Sequence, residues 1–467
     1  MRKYTIILAL LFFNSFIAQE LTLRKGVVND SLVVNDSISE TFGIYLPTTY
    51  DPASATPVIF IFDPQSRGSR VLQLFRQAAE DQGYILAASN NMKEDESLLY
   101  NTRIAGRLIE RVLNYFPEKN NRIYTAGLGQ GARVATVLPI VYPSISGVIA
   151  IGDLWVNTDY IEKKNNFQFI GLAGNRGANF DILYETVEFL NKAGLKAEIY
   201  QYEGSNDWPG SDILTNAIGS FTLGEMLRGQ RPKDQGLIES LYANDQKMVQ
   251  RLLQEMKYYK AYEYLEVMEN KYSRFGKTQE IKQQLKELGR ERLFRTQNRQ
   301  YSEVAYTEAE NRDKFIYFFT EDVRAANFEN LGWWNQQIKE LKELQESKNP
   351  AESEMAFRLE AVLKNHAHRT FQEIREDNAA IDPLIFTAIL ETIFDKENPD
   401  GYFNIISLSS QDGDYYTALL YLEDLLKTGY DDMESLYTIP GTRDLKLSPE
   451  FNELIKKYLG ESKFYNN

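Results

Sequence analysis

The stretch Arg122-Ile-Tyr-Thr-Ala-Gly-Leu-Gly-Gln-Gly-Ala-Arg-Val-Ala135 decides the fold. It opens on β-branched and aromatic residues, is punctuated by Gly127, Gly129 and Gly131, and continues with small and apolar residues at helical spacing. Arg122 to Ala126 therefore reads as a buried strand and Gly131 to Val141 as a helix. The glycines between them permit backbone angles and close approaches that a Cβ forbids. Such a strand-turn-helix is half of a parallel β-α-β unit, so the same pattern should recur on either side.

It does recur. Val58 to Phe62, Tyr84 to Ala88, Gly147 to Ile151, Phe167 to Gly171 and Lys196 to Tyr200 are short apolar runs that read as buried strands. Amphipathic stretches separate them, at Val71 to Gln82, Arg103 to Tyr115 and Ile182 to Ala193. The alternation predicts an α/β domain over residues 19–229, a doubly wound, mostly parallel sheet covered on both faces, with Phe42 to Leu46 as an antiparallel edge strand.

The polar stretch Gly229-Gln-Arg-Pro-Lys-Asp-Gln-Gly236 marks a change of pattern. Beyond it, apolar residues recur at three and four spacing, which predicts an all-α domain over residues 230–467. Tyr258-Tyr-Lys-Ala-Tyr-Glu-Tyr-Leu and Tyr415-Tyr-Thr-Ala-Leu-Leu-Tyr-Leu look alike, each setting a small Ala after an aromatic pair. This resembles tetratricopeptide-type helical repeats, without a clean period of about 34 residues.

The remaining composition narrows the function. The 467 residues include 52 Lys and Arg against 66 Asp and Glu, for a net charge of −14, which excludes a sequence-independent grip on nucleic acid. There is no cysteine, hence no thiol nucleophile, disulfide or thiolate metal site, and the two histidines, His366 and His368, both lie in the helical half. No metal-ligand spacing or cofactor motif stands out, and no cofactor or metal is expected. At the start, Arg2 and Lys3 precede the apolar run Ile6 to Phe13, and Ala18 is followed by Gln19 and Glu20. That layout predicts a signal peptide over residues 1–18 and export to the periplasm or beyond, without stable membrane insertion.

The glycine turn at 127–131 resembles the Gly-x-Ser-x-Gly nucleophile elbow of α/β-hydrolases, with Gly129 in the serine position. More widely, residues 45–227 resemble secreted bacterial serine esterases of the depolymerase and feruloyl-esterase kind that carry a helical tail. The matching residues are Val58-Ile-Phe-Ile-Phe-Asp-Pro64, Ala87-Ala-Ser-Asn-Asn91, Leu172-Ala-Gly-Asn-Arg-Gly-Ala-Asn-Phe180 and Tyr202-Glu-Gly-Ser-Asn-Asp-Trp-Pro209. The resemblance puts the family's acid at Gly177 and its histidine at Asn206, so none of the three triad positions carries its reactive side chain. Asp63, Gln65, Gln130, Trp155, Asn179, Asp207 and Trp208 are then the expected lining of a pocket at the same mouth. What this implies is an exported pseudo-esterase that binds or scaffolds at the cell envelope, taking a protein partner through its helical domain and a small-molecule or glycan ester at the mouth. The alternative is an active serine-type ester hydrolase with an unconventional constellation.

Overall fold

The computed structural model describes residues 23–116, 122–155, 161 and 165–465; the expected signal peptide lies outside the described residues. Eight strands form one sheet: β1 (Val28–Val33), β2 (Thr41–Tyr45), β3 (Val58–Phe62), β4 (Ile85–Ser89), β5 (Ile123–Leu128), β6 (Ile145–Ile151), β7 (Gln168–Gly174) and β8 (Lys196–Tyr202). Their order across the sheet is β1-β2-β4-β3-β5-β6-β7-β8. From β4 to β8 every pairing is parallel, while β2 runs antiparallel to both β1 and β4. This is the strand arrangement of the α/β-hydrolase fold.

One expectation is corrected here. The antiparallel strand near Phe42 is not the edge, because β1 pairs along its outer side. β1 escapes a reading by apolar pattern because its sequence, Val-Asn-Asp-Ser-Leu-Val, is half polar, and its register shifts between Asn29 and Leu32 around Ser31 at φ 57°. An irregular, polar strand is what an unpaired sheet edge favours.

Helices cover both faces. α1 (Gly68–Gln82) and α5 (Ser211–Leu227) pack on one, around Phe75, Tyr124 and Phe221. α2 (Leu98–Tyr115), α3 (Gln130–Val141) and α4 (Phe180–Lys192) pack on the other, around Phe60, Leu108 and Ala135. The first face does not end at residue 229. Its core continues through α6 (Gln235–Gln254), α7 (Tyr258–Lys271) and α8 (Thr278–Leu288), from Leu241 through Leu265 to Leu288. A buried polar knot fixes that junction. Lys271 Nζ lies 2.8 Å from Asp245 Oδ2 and donates to Asn216 O at 2.6 Å, and the Tyr264 and Tyr272 hydroxyls each donate to Asp245 at 2.6 Å. Every group in the knot is satisfied, which is the condition for burying an ion pair without net loss.

The rest of the helical half builds two further cores. α9 (Arg292–Ala325), α10 (Leu331–Gln345), α11 (Pro350–Glu376) and α12 (Ile381–Phe394) close on the first, around Trp334. α13 (Pro399–Asp412) joins it to the second, with α14 (Tyr415–Lys427), α15 (Met433–Thr438), α16 (Arg443–Lys446) and α17 (Pro449–Leu459). α11, α13 and α17 begin alike: Asn349, Asn398 and Ser448 cap the helix with their side chains, and a proline follows in the first turn. Proline fits there because its missing N–H has no partner to lose. Among the described residues no helix is long and apolar enough to cross a membrane.

Candidate functional site

The site lies at the carboxyl ends of the strands, where open α/β sheets bind ligands. Its centre is the turn between β5 and α3. Gly129 sits there at φ 53°, ψ −124°, a conformation that costs a residue with a side chain about 1–3 kcal/mol. The two glycines beside it are needed for space. A Cβ at Gly127 would stand 2.1 Å from the Gly131 carbonyl oxygen, and one at Gly131 would stand 2.1 Å from that of Phe62. At Gly129 itself a Cβ would meet, among the described residues, only Pro64 Cγ, at 4.0 Å. The turn is thus an intact elbow around an open position that holds no side chain.

The two residues that the resemblance puts at the acid and histidine positions are neighbours. Gly177 lies between β7 and α4 and Asn206 between β8 and α5, and a Cβ at Gly177 would lie 3.4 Å from Asn206 Oδ1. Asn206 also leans on Gly152, at the end of β6, where a Cβ would lie 3.1 Å from the same oxygen. Asn179 links these loops, donating from Nδ2 to Gly152 O at 3.0 Å.

The remaining expected residues divide. Asp63 is fully buried and its carboxylate is already occupied. Oδ2 accepts from Arg67 N at 3.0 Å and Nε at 2.7 Å, and Oδ1 accepts from Arg67 NH2 at 2.9 Å and Trp208 Nε1 at 3.2 Å. Burial pushes this carboxyl up, but the Arg67 and Trp208 hydrogen bonds outweigh it and hold the pKa below the usual aspartate value. Trp208 in turn packs edge-on against Phe75. Gln65 and Asp207 are exposed, Asp207 accepting from the Tyr202 hydroxyl through its carbonyl. Trp155 is tied to α3 through its N–H, which donates to Thr136 Oγ1 at 2.8 Å. Gln130 opens α3, and its Oε1 is shielded from solvent with no hydrogen-bond partner among the described residues.

Sequence reasoning missed that α11 reaches the loop between β7 and α4, at the rim of the mouth. Near its start, Glu354 Oε1 accepts from Asn175 Nδ2 at 2.8 Å and Arg358 donates to Asn175 O at 2.9 Å. The Arg176 guanidinium stacks on Phe357, and that of Arg358 on Phe180. Further along, Arg369 acts on Asp153, the residue after Gly152. Burial pushes the Asp153 carboxyl up to about 6, against the opposing pull of the Leu154 N–H, Arg133 and Arg369. The two histidines point apart. His366 packs on Phe319, and burial followed by Arg369 lowers its pKa; His368 Nδ1 lies 3.2 Å from Glu391, which raises its pKa. Among the described residues no group of three or more His, Asp or Glu is placed to share a metal ion.

The sequence matches no protein-family model and no curated protein. Among solved structures it is similar to esterase 2 of Thermogutta terrifontis phosphorylated by paraoxon, at 14% identity and a TM-score of 0.35, over 45% of this chain and 98% of that one. It is similar also to an esterase of Pyrobaculum calidifontis, at 10% identity and a TM-score of 0.34, over 43% of this chain and 85% of that one. A third is FphF, a fluorophosphonate-binding serine hydrolase of Staphylococcus aureus, at 11% identity and a TM-score of 0.34, over 42% of this chain and 97% of that one. Assignment of the fold rests on the strand order and the elbow.

Proposed function

We propose that this protein is a catalytically silent α/β-hydrolase, a pseudo-esterase that works by binding. The observation that carries the reading is Gly129. It occupies the apex of a fully formed elbow and offers no nucleophile, while the two partner positions hold Gly177 and Asn206 side by side. Neither residue has an ionisable group, so no proton relay runs through them. The helical half supplies the binding surface in this reading: Tyr306, Tyr317 and Phe318 on α9 and Tyr416 on α14 present aromatic rings to solvent, the residue type that anchors protein contacts. Export to the cell envelope rests on Arg2, Lys3 and the apolar run Ile6 to Phe13.

The test is a fluorophosphonate label run beside a panel of acyl esters on the full chain. Neither labelling nor turnover is expected. Labelling of the unaltered protein, or ester turnover that Gly129→Val abolishes, would return it to the active hydrolases.

A further inference from the structure

A second concavity lies away from the mouth, along the edge strand β8. It is a cleft of about 510 Å³ between β8 and α4 on one side and α6 and α7 on the other. That volume falls in the range of about 300–1,000 Å³ common to small-molecule sites, which favour junctions between structural units. Its apolar wall comes from Val187, Ile199, Ile213, Met248, Leu252 and Val267.

The charges lining it are unbalanced in a specific way. Each cation already has a carboxylate: Arg251 pairs with Asp212 at 2.6 Å, Lys257 with Glu203 at 2.9 Å, and Lys260 with Glu354 at 2.6 Å. Two carboxylates, Glu263 and Glu266, make no ion pair among the described residues. Glu263 accepts only from neutral donors, the Tyr259 hydroxyl at 2.8 Å and Gln201 Nε2, and the same Gln201 amide donates to Tyr184 OH at 2.5 Å. Glu266, one turn along α7, lines the solvent-exposed rim of the same space and makes no hydrogen bond or ion pair among the described residues. Burial pushes the Glu263 carboxyl up to about 7, with Glu266 adding to the effect and the Tyr259 hydroxyl and Lys260 opposing it. A carboxylate held by neutral donors in an apolar-walled cleft is stabilised by an arriving cation and by little else.

We infer that this cleft binds a small organic cation, an ammonium group carried on an apolar body, with Glu263 and Glu266 taking the ammonium and the Val187–Val267 wall taking the body. An anionic ligand is disfavoured because no lining cation is left unpaired. The inference does not depend on the state of the elbow, since none of its residues belongs to the mouth.

Dansylcadaverine, a naphthalene carrying a primary amine, is the probe, titrated into the full chain at pH 8 and followed by its emission. Dansylamide, which lacks the amine, is the neutral comparison. Saturable, blue-shifted binding of dansylcadaverine is expected, at least about tenfold tighter than that of dansylamide, the size of one charge-assisted hydrogen bond. The shape-preserving double variant Glu263→Gln/Glu266→Gln should lose that tenfold preference, and Val267→Trp should fill the cleft and abolish binding. Equal affinity for the two probes, a preference that survives in the double Gln variant, or no saturable binding would each overturn the inference.

Discussion

The elbow glycines allow a quantitative test of how β5 and α3 are joined, by comparing Gly127→Ala with Gly129→Ala. At Gly127 the added methyl would lie 2.1 Å from Gly131 O and 2.5 Å from Ala132 N, both backbone atoms of the first turn of α3. Nothing flexible can yield, so strand and helix must separate by about an ångström. Overpacking of this kind costs about 1–3 kcal/mol where side chains can adjust, and more where only backbone is available. At Gly129 the methyl meets one atom at 4.0 Å, and only the φ of 53° resists it. That strain of about 1–3 kcal/mol is partly offset by about 0.4–1 kcal/mol from the loss of freedom in the unfolded chain. The expected order is therefore a drop of about 1–2 kcal/mol for Gly129→Ala and at least about 3 kcal/mol for Gly127→Ala. In a unit of this size each kcal/mol moves Tm by about 2–4 °C. Urea denaturation followed by circular dichroism, with matched thermal melts, measures both. If Gly127→Ala were as stable as Gly129→Ala, the tight seating of the helix on the strand would be wrong.

Two further outcomes follow from features outside the elbow. Asp153, with its carboxyl pushed up to about 6, holds a proton when folded at a pH where the same group unfolded, near about 3.9, has released it. Stability thus falls as pH rises from about 4 through 6, and Asp153→Asn should raise Tm more at pH 8 than at pH 4.5; equal shifts at the two pH values would contradict this. A chain stopped after Gly229 strips α6 to α8 from the core that Phe221 and Leu241 share, whereas one stopped after Arg290 keeps that core closed. The longer fragment should be soluble and unfold cooperatively and the shorter one should aggregate, as judged by soluble yield and circular dichroism; a well-behaved shorter fragment would count against a shared core.

The parts of this fold that were legible beforehand are those written in local apolar pattern. The buried strands from Val58 to Tyr200 announce themselves because both faces of a parallel strand must be apolar, and the elbow because three glycines stand at alternate positions. β1 lacks such a pattern, being polar and irregular at the sheet edge. The placing of Gly177 beside Asn206 was legible only through family spacing. The docking of α11 on the β7–α4 loop was not legible at all, since it depends on single polar pairs between residues far apart in the chain, such as Asn175 with Glu354, that leave no periodic trace. The same holds for the cleft: the isolation of Glu263 is visible only once every neighbouring lysine and arginine has been seen to have another partner.

α11 is 27 residues long, about 40 Å of continuous rod; its first turns grip the loop that carries Gly177, and Arg369, about 16 Å further along, bears electrostatically on Asp153. A tilt of about 5° at that grip displaces the far end by about 3 Å, roughly the length of one hydrogen bond. A small tilt of the helical half is therefore enough to strain the hydrogen bonds that hold α11 to the loop of Gly177.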